Sequence, residues 1–109
     1  MYVNFEVNNK AYKLRLNTRN VVALEKALGA NPLSIFDLAG NEMPSVTSMV
    51  TVLHAALQQY NHGVSMNDAY DIFDAYIEDG HSIDEFIYII LDIYRESGLI
   101  PKEEESLKN

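Results

Sequence analysis

The chain has no cysteine, which excludes disulfides, thiolate metal sites and thiol nucleophiles together and fits a reducing compartment. It has no apolar run near the roughly 20 residues needed to cross a bilayer. Its opening stretch, MYVNFEVNNKAYKLRL, alternates polar and apolar residues where a signal peptide would be continuously apolar. No glycine-rich phosphate loop and no nucleophile motif is present, so nothing in the sequence points to catalysis. Positive charge is scarce in the second half: residues 63–109 carry a net −9, whereas residues 1–62 carry a net +1. An acidic surface of that kind repels phosphate backbones, which argues against nucleic acid or an anionic membrane as the ligand.

What is present is a chain of 109 residues, 48% apolar, enough for one hydrophobic core. The patterning predicts an α+β fold, an N-terminal β-hairpin packed on a small bundle of four to five α-helices. A single domain is expected over residues 1–98, followed by a charged, disordered tail over 99–109. Val3, Phe5 and Val7 alternate along a first strand from Tyr2 to Val7. Tyr12, Leu14 and Leu16 do the same along a second from Ala11 to Leu16, and Asn8-Asn9-Lys10 supplies the turn. Such a hairpin is marginal alone, so helices must cover its apolar face.

Thr18 reads as an N-cap and Gly29 as the stop of a first helix carrying Val21, Leu24 and Leu28. Asn31-Pro32 opens a short helix that ends before Gly40-Asn41. Three longer helices follow. One runs from about Ser45 to Asn61 on a stripe of Val46, Met49, Val50, Leu53, Ala56, Leu57 and Tyr60. The next, after Ser65, turns Met66, Tyr70, Phe73 and Ile77 inward. The last, after Ser82, carries Ile83, Phe86, Ile87, Ile90, Ile93 and Tyr94 to Gly98.

Several possible sites fail on inspection. The stretch from Asp74 to Phe86 has the look of a calcium loop, but placing Gly80 at the sixth position puts Ala75, Ile77 and Phe86 where oxygen ligands are needed. His54, His62 and His81 lie on separate segments, and none has a partner histidine at three- or four-residue spacing. Asp71, Asp74, Glu78 and Asp79 fall on the polar side of a helix, as a solvated face does. No catalytic, metal or cofactor residue is assigned, and no cofactor is expected.

The informative feature is apolar surplus. At 100° per residue, Val52, Ile72, Tyr88 and Ile89 project off the core stripes of the three long helices, and Phe86 to Leu91 is unbroken apolar sequence. Val52, Ile72, Tyr88, Ile89 and Leu91 are therefore expected to form a surface for self-association or for holding another helix.

The hairpin, then LNTRNVVALEKALGANPLSIF from Leu16 to Phe36, then helices of about fifteen residues and an acidic tail, together resemble the tail assembly chaperones of long-tailed phages and prophages. The resemblance covers residues 1–98 and rests most on Leu24-Glu25, Leu28-Gly29, Asn31-Pro32 and Phe36. It implies a non-enzymatic protein of the bacterial cytoplasm, absent from the finished virion, that coats the helical tape measure protein and keeps it soluble while the tail tube protein polymerises. It also implies a homo-oligomer, and in many such phages a frameshifted longer form. Two rivals are a small virion structural or completion protein and an acidic adaptor or inhibitor that mimics nucleic acid with its carboxylates from Asp68 to Asp92.

Overall fold

Asn8 and Asn9 both take positive φ, 51° and 66°, and Val7 pairs with Lys10 across them. This is the two-residue turn whose twist matches that of the strands it joins. It closes an antiparallel hairpin of β1 (Val3–Val7) and β2 (Lys10–Leu14), in a computed structural model that describes residues 1–36 and 43–102. The apolar face is the one the alternation predicts: Phe5, Val7 and Leu14 are buried, with Val3 and Tyr12 half-buried beside them. The second strand stops at Leu14 instead of Leu16 because the next two amides bond elsewhere. Arg15 N–H donates to the Ala56 carbonyl at 3.1 Å, and Leu16 N–H donates to Ser97 Oγ at 2.9 Å. The hairpin is thereby strapped to the ends of two helices.

Helix α1 (Thr18–Leu28) is capped one residue earlier than expected, by Asn17. Asn17 Oδ1 accepts from Asn20 N–H at 2.8 Å, and Asn20 Oδ1 accepts from Asn17 N–H at 3.4 Å. This reciprocal pair satisfies two amides that Thr18, already helical, cannot reach. A 3-10 turn follows at Pro32–Ile35, with Asn31 Oδ1 accepting from Leu33 N–H at 2.8 Å. The rest of the expected short helix, with its break at Gly40-Asn41, lies outside the described residues.

The three long helices are α2 (Val46–Leu57), α3 (Met66–Glu78) and α4 (Ile83–Glu96). Ser45, Ser65 and Ser82 cap them, and the boxes at Ser65 and Ser82 are completed by Asp68 and Glu85. Helix α2 ends at Leu57, short of Asn61, because Gln58 ties the exit down. Its Nε2 donates to the His54 carbonyl at 2.9 Å and to the Val64 carbonyl at 2.8 Å.

Helix α2 sits at the centre, touching α1, α3, α4 and β2. That position explains why it is apolar on nearly every side and why Val52, expected outward, is fully buried. Its stripe frays only at the ends, where Val46 and Tyr60 are exposed. Helix α3 is rotated relative to expectation. Ala69, Phe73 and Tyr76 face the core, and Tyr70 faces out. The rotation is set by Tyr76, whose ring packs among Phe5, Phe73 and Phe86 with centroids 5.2–6.2 Å away, a cluster at the favoured spacing for tilted and edge-on rings. Beyond α4, Gly98 takes φ 83°. Gly98 N–H then donates to the Arg95 carbonyl, and Leu99 N–H donates to that of Tyr94 at 2.9 Å. This reversal lays Leu99 and Ile100 on the core, so packing continues past the expected boundary at residue 98. Of the expected disordered tail, residues 103–109 lie outside the described residues.

Candidate functional site

Helix α4 buries Phe86, Ile90, Ile93 and Tyr94, and the opposite side of the same helix is defined by Tyr88. This residue is 69% exposed and stands four residues from both Asp84 and Asp92, which share its face. Leu91, one turn on, and Ile89, on the flank, are half-buried. Ile89 packs against the core. A phenol ring set among carboxylates can make apolar contact with its face and a hydrogen bond with its hydroxyl, the combination enriched at protein interfaces.

The five residues expected to form one partner surface therefore divide. Tyr88, Ile89 and Leu91 lie together on α4. Ile72 lies on α3, where it lines a groove with Val7, Tyr12 and Ala75 and packs partly against the core. Val52 belongs to the core and cannot touch a partner; α2 is covered by elements of its own domain. The apolar surplus is real at Tyr88 and absent at Val52.

Other exposed apolar side chains were not foreseen. Val46 and Tyr70, 46% and 50% exposed, border a groove of about 270 Å³ between α2 and α3, with Val50, Phe73 and Asp74 lining it. Val22, 43% exposed, lies on the outer side of α1 between Arg19 and Lys26. A wheel centred on Phe73 and Tyr76, in place of Tyr70, would have placed Tyr70 outside.

Among the described residues, the titratable groups that are shifted owe their shifts to burial and to contacts within the fold. Asp68 is held below the usual carboxylate range chiefly by the N–H of Ser65, which donates to Oδ2 at 3.0 Å. Glu85 is lowered first by the N–H of Ser82 at 2.7 Å, then by His81. Glu96 is lowered first by the terminal ammonium of Met1 at 3.1 Å and further by Lys102. Burial pushes the Tyr76 and Tyr94 phenols up, with Glu85 adding to the effect on Tyr76. His81 stacks on Tyr76 at 4.4 Å and reaches Glu85 Oε2 at 3.4 Å. His62 is exposed and His54 half-buried. Among the described residues no group of three or more His, Cys, Asp or Glu is arranged to hold a metal ion, and no helix is long and apolar enough to cross a membrane.

Neither a curated protein nor a solved structure matches the chain. Residues 4–108 match a family of unknown function, DUF6096, and the chain belongs to that family.

Proposed function

We propose that this chain is a non-enzymatic protein-binding domain, a tail assembly chaperone that holds a tape measure protein in soluble form in the bacterial cytoplasm and works as a multimer. The observation that carries the reading is Tyr88, an aromatic side chain 69% exposed in the middle of an acidic helix face. A ring in that position contributes little to its own fold and is well suited to anchor a partner. A tape measure is a long helix with exposed apolar stripes and would aggregate if left uncovered. Tyr88 and Leu91 would contact such a stripe, the neighbouring carboxylates would keep the complex soluble, and repetition along a multimer would supply avidity from weak single contacts.

The test is co-expression with a tape measure protein, with a frameshift-extended form run in parallel. A raised soluble fraction and co-purification are expected, both reduced by Tyr88→Ala. Solubility and recovery equal to those of a control without the chaperone would overturn the reading.

A further inference from the structure

The outward faces of α1 and α3 carry opposite charge at matching intervals. On α1, Arg19, Val22, Ala23 and Lys26 follow at three- and four-residue spacing, so they form one exposed stripe with a cation at each end and an apolar centre. Glu25 projects about 110° from the middle of that stripe, to its flank. On α3, Asn67, Tyr70, Asp71, Asp74 and Glu78 form the outward stripe, all exposed, and α3 contains no basic residue. Among the described residues, none of Arg19, Lys26, Asp71, Asp74 and Glu78 has an ion-pair partner.

The spacing is the specific part. Arg19 and Lys26 are seven residues apart, and so are Asp71 and Glu78. At the helical rise each pair spans about 10.5 Å. Two such helices laid side by side bring both cations to both carboxylates at once, with Val22 and Ala23 opposite Asp74 midway between the two pairs and Tyr70 just beyond the Asp71 end. The two faces cannot meet within one copy, because α2 lies between α1 and α3 and packs on both.

We propose that the outer face of α1 docks on the outer face of α3 in a second copy of this chain. The contact joins two different surfaces on opposite sides of α2, so a pair of copies retains a free α3 face on one and a free α1 face on the other, and assembly continues into a ring or a filament instead of stopping at a two-fold dimer. This deepens the multimeric part of the function proposed above and rests on it only for the premise that copies associate. Client binding is assigned to Tyr88 on α4, a different surface.

The test is sedimentation velocity on the purified full chain without client, over a wide concentration range. The wild-type chain is expected to form species larger than a dimer as concentration rises. R19E/K26E and D71K/E78K should each weaken association at least tenfold, and the chain carrying all four reversals should recover it. All four side chains are exposed, so thermal melts should show each variant folded, and R19Q/K26Q provides a milder version of the first variant. Tyr88→Ala should assemble as wild type does. A wild-type chain that stays monomeric throughout would overturn the proposal. So would association that the pairwise reversals leave intact or that the fourfold reversal fails to restore. Loss of client solubility with assembly intact would count against the chaperone reading alone.

Discussion

The phenol of Tyr94 donates a hydrogen bond to the carbonyl of Pro32 at 2.9 Å, joining α4 to the 3-10 turn across 62 positions of sequence. The Tyr94 ring is fully buried and meets Phe36 edge-on at 6.0 Å. Burial selects the neutral phenol, and the hydrogen bond gives its proton a destination.

Tyr94→Phe should therefore cost about 1–3 kcal/mol in urea unfolding, because the buried Pro32 carbonyl loses its donor while the ring volume stays nearly the same. The raised phenol also has a sign in pH. A group whose folded pKa lies above its unfolded value contributes stability that is full below the unfolded value, about 10 for tyrosine, and is lost as pH rises beyond it. The wild type should weaken on raising pH through that range, and Tyr94→Phe should weaken less steeply. Equal slopes would show that Tyr94 is not the group responsible.

Val52 and Tyr88 should part company on mutation. Val52→Ala removes buried methyl groups from the central helix and should cost about 2–3 kcal/mol. Tyr88→Ala changes an exposed position and should stay within about 0.5 kcal/mol of wild type. Chemical denaturation of the two variants side by side measures the contrast. A destabilised Tyr88→Ala would mean that the ring supports its own fold.

The lowered carboxylates predict acid sensitivity. Asp68, Glu85 and Glu96 have folded pKa values below their unfolded ones. Their contribution is present above the ordinary carboxylate range, about 4, and is lost as pH falls through the depressed values. Glu85→Gln should be less stable than wild type at neutral pH and should lose less on acidification. Ser65→Ala and Ser82→Ala should each cost about 1 kcal/mol as lost caps. Thermal melts from pH 7 to pH 3, a range set around those reference values, would check both points.

The hairpin turn gives a conformational test. Asn9 sits at φ 66°, where glycine is unstrained and a β-branched residue costs roughly 1–2 kcal/mol. Asn9→Gly should leave stability equal or slightly raised, and Asn9→Val should lower it. If Asn9→Val melts with the wild type, the turn is not of this kind in solution.

Local signals determined much of this protein. Alternation about Asn8-Asn9 marked both strands and their shared face, because side chains on a strand change sides at every residue. Serine caps with Asp68 and Glu85 marked where α3 and α4 begin, because the amides they satisfy lie within one turn. Glycine marked the ends of α1 and α4. What the sequence could not decide was rotation and coverage. Whether Tyr70 or Tyr76 faces inward depends on Phe5 and Phe86, which lie on other elements, and Val52 is buried because α2 is surrounded by four neighbours. Only the tertiary structure separates Tyr88 from Val52. A helical wheel locates a side chain around its own axis, whereas exposure is settled by what packs against that axis from elsewhere in the chain.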